Sequence, residues 1–107
     1  MNTGGEKVYP EEIELTLREN ASVFDCVVVG VPDERFGESV VALVQVTDGH
    51  HTDEAELRAF CKRRGLAGYK IPRRVLFVDS LRRAPNGKAD YKVLRAMAAD
   101  LLTVTGD

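Results

Sequence analysis

The sequence contains no tryptophan, two cysteines, two histidines and only 7% aromatic residues among 107. Cys26 lies in an apolar, strand-like run and Cys61 on the apolar side of a helix-like segment. That spacing fits neither a metal site nor a disulfide framework, so both are expected as buried, reduced thiols of a cytoplasmic protein. The histidines are adjacent, His50-His51, and neighbouring side chains rarely converge on one ion, so a solvated loop is expected and no metal ligand set. A charge excess is also lacking. Fifteen basic against 17 acidic side chains leave a net charge of −2, which gives no basic field for nucleic acid or an anionic membrane. No apolar run approaches the length of a transmembrane segment, and repeats and low-complexity stretches are missing. What is present, 44% hydrophobic and 30% charged residues, suits one small folded domain.

Pro10 in a first turn, Glu11, Glu12 and Glu14 near its positive end, and Ile13 and Leu17 four apart predict a helix stopping near Asn20. Val23 to Val31 is dense in valine and reads as a strand, broken at Val31-Pro32-Asp33. Val40 to Val46 is apolar nearly throughout and reads as a central strand buried on both faces. The short link between the two predicts antiparallel pairing. Thr52 is expected to cap a second helix, with Leu57, Phe60 and Cys61 inward, Lys62, Arg63 and Arg64 at its negative end and Gly65 as its stop. Those basic residues are assigned to the helix dipole rather than to nucleic acid. Val75 to Val78 reads as a third strand. Asp90 is expected to cap a last helix with Leu94, Met97, Ala98 and Leu101 in one stripe, and residues 103–107 to fray. The order implies an α+β fold: about three strands, mainly antiparallel, covered by helices.

Leu81-Arg82-Arg83-Ala84-Pro85-Asn86-Gly87-Lys88 sets a lysine on a Pro-Asn-Gly turn. Proline presets φ at the first turn position, and Asn and Gly accept the tight geometry after it. The Gly-Lys pair is not a P-loop, because Arg82 stands where that motif needs glycine and Ala89 where it needs Ser or Thr. A lysine on a turn is by itself usually a solvated charge. Held in place, it offers three donors to a phosphate or carboxylate. At the other end of the chain, Thr3-Gly4-Gly5-Glu6-Lys7-Val8-Tyr9-Pro10 lets backbone pass close to a ligand. A lone Gly-Gly pair would be read as a flexible entry to the helix.

Two further motifs lie between them: Val29-Gly30-Val31-Pro32-Asp33 through Phe36-Gly37-Glu38, and Tyr69-Lys70-Ile71-Pro72-Arg73. With all four in order, the chain from about Asn2 to Leu102 resembles the C-terminal domain of the acyl-adenylate-forming enzymes, most nearly a fatty-acid or other acyl-CoA ligase. The resemblance implies that residues 1–107 form the mobile C-terminal lid, inactive alone, of an enzyme whose large N-terminal adenylating domain lies outside this chain. It implies ATP, CoA and a carboxylic, notably fatty, acid as substrates, with Mg bound alongside ATP on the larger domain. Lys88 would be the adenylation lysine. Gly4, Gly5 and Glu6 would line the pantetheine channel, Phe36 and Tyr69 would flank the CoA nucleotide, and Arg73 would meet its phosphates. For these last three, surface or core packing is the competing reading.

The chain departs from the family pattern at Arg82, where proline is usual, and Ala84, where threonine is common, so a looser approach to the turn is expected. Two other readings stand beside the ligase. One is a peptide-synthetase adenylation domain, which Pro85-Asn86-Gly87-Lys88-Ala89-Asp90 fits but Gly4-Gly5-Glu6 does not. The other is a free-standing module that binds CoA or a partner.

Overall fold

The computed structural model describes residues 1–104. The chain opens on a short hairpin of β1 (Asn2–Thr3) and β2 (Glu6–Lys7). It continues through α1 (Pro10–Arg18), β3 (Val23–Asp33), β4 (Gly37–Val46) and α2 (Glu54–Arg63). A 3-10 turn at Gly68–Lys70 leads into β5 (Arg74–Phe77), and α3 (Tyr91–Val104) follows the lysine turn. In the three-stranded sheet, ordered β3-β4-β5, β3 and β4 pair antiparallel over a long register, and β5 runs parallel to β4 with α2 as the crossover. The α+β expectation holds, and the glycine hairpin adds a small second sheet.

The strands are valine-rich without polar alternation because helices cover both faces of the sheet. Cys26, Val28, Val40, Ala42 and Val44 pack with Ile13 and Leu17 of α1 and with Leu57 and Cys61 of α2. Val27, Val29, Val31, Val41 and Leu43 point the other way, onto Leu94 and Ala98 of α3. Leu43 is fully buried on the central strand. Leu43→Ala should therefore destabilise the domain by about 2–5 kcal/mol, read as a lower denaturant midpoint at unchanged slope.

Several boundaries shift for identifiable reasons. β3 does not stop at Pro32 but pairs Pro32 with Glu38 and Asp33 with Gly37. β3 is an edge strand, and an edge tolerates the missing N–H of proline. Asp53, not Thr52, caps α2: its Oδ1 accepts from Glu56 N at 2.8 Å, while Thr52 Oγ1 donates to Glu56 Oε2 at 3.1 Å. An ionised acceptor gains more at the positive helix end than a hydroxyl does. Gly65 ends α2 at φ +88°, where Gly65 N donates to Lys62 O at 3.0 Å and Leu66 N to Cys61 O at 3.2 Å. Asp90 caps α3 as expected, accepting from Lys92 N at 3.1 Å and Val93 N at 3.2 Å.

The expected frayed segment begins inside α3, where Thr103 Oγ1 donates to Ala99 O at 3.0 Å; its last three residues, 105–107, lie outside the described residues. Both cysteines are buried and unpaired, and burial pushes Cys26 up to about 12 and Cys61 to about 11, so both stay protonated thiols. His50 and His51 are exposed. Among the described residues no group of His, Cys, Asp or Glu is arranged to hold a metal ion, and no helix is long and apolar enough to cross a membrane.

Candidate functional site

The lysine turn is tightly built. Gly87 N donates to Ala84 O at 2.7 Å across Pro85 and Asn86, Gly87 takes φ +85°, and Ala84 N then donates to Lys88 O at 3.0 Å. This is a β-turn followed by a left-handed glycine, and Asn86 Oδ1 adds a bond from Lys88 N at 3.1 Å. Lys88 is exposed, and among the described residues its ammonium has no hydrogen-bond, ion-pair or ring partner.

The sequence departures do not leave this turn unsupported. Arg83 grips Asp25 of β3 with two bonds, Nε to Oδ2 at 2.7 Å and Nη2 to Oδ1 at 3.0 Å, and its Nη1 donates to Gly87 O at 3.0 Å. Arg18 adds a longer contact to Asp25 at 3.4 Å and donates to Cys26 O at 2.9 Å. Burial pushes the Asp25 carboxyl up, but the Arg83 bonds, the Cys26 N–H and the two guanidinium charges outweigh it and hold it below the usual range. Arg82 takes φ +50°, a conformation closed to proline.

Glu14 was legible only as one of several acids near a helix start, yet it is 4% exposed. Its Oε2 accepts from Val28 N at 2.8 Å and from Tyr91 Oη at 2.9 Å, so it satisfies an N–H of the edge strand and anchors the first residue of α3. Burial and that hydrogen bond push the Tyr91 hydroxyl up to about 12, which keeps it a donor at neutral pH.

The second group gathers at the glycine hairpin. Gly4 (φ +55°) and Gly5 (φ +84°) are the two central residues of a tight turn that demands positive φ at both. Gly4 N donates to Phe36 O at 2.9 Å, and Glu38 Oε1 accepts from Asn2 N at 2.9 Å. Gly30 makes room for Glu38, since a Cβ there would lie 2.5 Å from its Oε2. Gly4, Glu6, Phe36, Tyr69 and Arg73 line one cavity of about 290 Å³, five of the six residues expected at a nucleotide-bearing thiol. Gly5 sits at the hairpin tip, outside this lining. Two guanidinium groups approach the Phe36 ring, Arg73 at 4.6 Å and Arg35 at 5.3 Å from its centre. Asp33 shapes the loop beneath it, accepting from Arg35 N at 2.8 Å and Phe36 N at 2.9 Å; those bonds lower its carboxyl. Arg58 of α2, which sequence alone did not single out, joins the lining and is steadied by Nε donating to Pro72 O at 2.9 Å.

The two groups stand apart. Asp25, which carries the lysine turn through Arg83, and Asp33, which shapes the Phe36 loop, are eight residues apart on β3. At about 3.3 Å per residue that separation is roughly 26 Å.

Residues 12–88 match the AMP-binding enzyme C-terminal domain family. The chain is 53% identical over 92 residues, 86% of this chain and 16% of the relative, to a 3-oxocholest-4-en-26-oate–CoA ligase of Rhodococcus rhodochrous. It is 42% identical over 100 residues, 94% of this chain and 18% of the relative, to the medium-chain acyl-CoA ligase Mig of Mycobacterium avium. Among solved structures, a Mycobacterium tuberculosis fatty acyl CoA synthetase superposes with a TM-score of 0.86 at 36% identity, over 94% of this chain and 20% of that one. ATP-bound MatB from Rhodopseudomonas palustris gives 0.85 at 39% identity, over 92% and 20%. The matched part of the chain thus spans only 16–20% of the length of these relatives. By the match over most of its length, the chain belongs to the AMP-binding enzyme C-terminal domain family.

Proposed function

We propose that this chain is the C-terminal domain of an ATP-dependent acyl-CoA ligase, acting with a large adenylating domain that holds ATP, Mg and the carboxylic acid. The observation that carries this reading is the position of a lysine with no partner among the described residues at one end of the β3–β4 hairpin and of a glycine-lined cavity at the other. One small body then presents two chemically different faces.

In the first half-reaction an acid oxygen attacks the α-phosphorus of ATP and pyrophosphate leaves. Negative charge concentrates where carboxylate meets phosphate, and the Lys88 ammonium supplies the opposing charge most strongly in the transition state. In the second, the CoA sulfur attacks the acyl carbonyl and AMP leaves. Gly4 and Glu6 border the path of the thiol with Gly5 at the hairpin tip between them, Phe36 and Tyr69 flank the nucleotide, and Arg73, with Arg58 beside it, faces its phosphates. The names of the relatives favour a lipid carboxylic acid, fatty or steroidal. On this reading the domain is inactive alone and works only together with the adenylating domain.

The test is an assay of the longer protein that carries this sequence, with ATP, Mg and a panel of fatty and steroid acids. Acid-dependent pyrophosphate release, followed by AMP release only when CoA is added, is the expected result. A protein that releases no pyrophosphate with any acid, or passes the acyl group equally well without CoA, overturns the reading.

A further inference from the structure

The turn's own hydrogen bonds shape its backbone, and its flanks tie it to the rest of the domain. Upstream, Arg83 spans from Asp25 to the turn's own Gly87 carbonyl, so one guanidinium ties the turn to β3. Downstream, three residues past Lys88, Tyr91 ties the start of α3 to the buried Glu14. Both carboxylates reach the same short stretch of β3. Asp25 belongs to it, with its Oδ1 accepting from Cys26 N at 2.8 Å, and Glu14 accepts from Val28 N. A bidentate arginine–carboxylate pair resists rotation better than a single contact, and a buried carboxylate that accepts two hydrogen bonds, as Glu14 does, resists displacement.

We infer that Arg83 with Asp25, and Tyr91 with Glu14, are positioning residues that hold the Lys88 turn from both sides at the point where the ammonium must meet the reacting phosphate. The inference rests on the reading of Lys88 as the adenylation lysine. It goes further by placing four residues outside the turn in the service of that step. Arg83→Lys can still pair with Asp25 but cannot also reach Gly87 with a fixed fork. Misplacement of a catalytic group by an ångström is enough to slow a reaction strongly.

The experiment uses the full-length protein with Arg83→Lys, Asp25→Asn, Tyr91→Phe and Lys88→Ala, and follows the two half-reactions separately. Arg83→Lys is expected to lower kcat for adenylate formation about tenfold, with KM for ATP and acid and the rate of thiol transfer within about twofold of wild type. Added to Lys88→Ala, Arg83→Lys should produce no further loss, because it acts through the lysine. Amide hydrogen exchange at Gly87 and Lys88 should rise in Arg83→Lys and Asp25→Asn, and Tyr91→Phe should show the same pattern more weakly. A parallel fall in both half-reactions, or a further loss on the Lys88→Ala background, overturns the inference and leaves a purely structural role. Arg83→Lys at wild-type adenylation while Lys88→Ala is inactive overturns the mount alone. Lys88→Ala at wild-type adenylation overturns the underlying reading of the lysine.

Discussion

Lys88→Ala, made in the full-length protein, is expected to slow acyl-adenylate formation by about 10²–10³, the loss of roughly 3–4 kcal/mol of transition-state stabilisation, as for other preorganised charge-stabilising contacts. The size follows from the geometry. The ammonium is exposed and has no partner among the described residues, so its charge is not already spent on the fold. The turn beneath it is set by four hydrogen bonds, from Gly87, Ala84, Lys88 and Arg83. For the same reasons the substitution should leave stability within about 0.5 kcal/mol of wild type, as for a surface site that holds nothing together. Transfer of a supplied acyl-adenylate to CoA should stay within about twofold, because the cavity that includes Gly4 and Phe36 lies at the far end of β3. Lys88→Arg should not rescue adenylation, since a planar fork places its charge differently from a compact ammonium. Equal losses in both half-reactions would sink the two-face reading. A large loss of stability would show the lysine to be structural.

The sheet was legible because its signal is local. A run such as Val27-Val28-Val29 in β3, valine after valine with no charge, is what a strand buried on both faces must look like, and Asp90 and Gly65 mark helix ends by their own backbone needs. The lysine turn was legible for the same reason, since Pro85, Asn86 and Gly87 each fill the turn position their φ suits. What supports the turn was not. Arg83 and Asp25 are 58 residues apart, and Tyr91 and Glu14 are 77 apart, so no window of sequence contains either pair. A faint trace existed in Glu14, which stands three residues before the buried Leu17 and so shares its inward face, but near a helix start an acid has a sufficient dipole explanation. The glycine hairpin was missed as a hairpin because its strands are two residues each, too short for alternation to register, although two glycines in succession are what such a turn requires.

The reciprocal change is Gly5→Val, expected to slow CoA-dependent release of AMP from supplied acyl-adenylate by about 5- to 150-fold while leaving pyrophosphate release within about twofold; the range corresponds to roughly 1–3 kcal/mol of backbone strain. A Cβ at Gly5 would meet nothing within 4 Å, so space is not the obstacle in this chain. Its φ of +84° is the obstacle, and a β-branched side chain opposes that conformation most strongly. The hairpin has no slack with which to absorb a changed turn. Each strand is two residues long, Gly4 N is bonded to Phe36 O, and Asn2 N is held by Glu38. A distorted tip therefore displaces Gly4 and Glu6 relative to Phe36, which together border the cavity. Gly5→Asn separates conformation from bulk, because asparagine is close to valine in size but tolerates left-handed backbone. If strain is the cause, Asn should retain most of the thiol-transfer rate that Val loses. If Asn and Val are equally damaging, what glycine provides is an open path for the pantetheine thiol against the larger domain, and the constraint lies in that partner's surface rather than in the hairpin's own geometry.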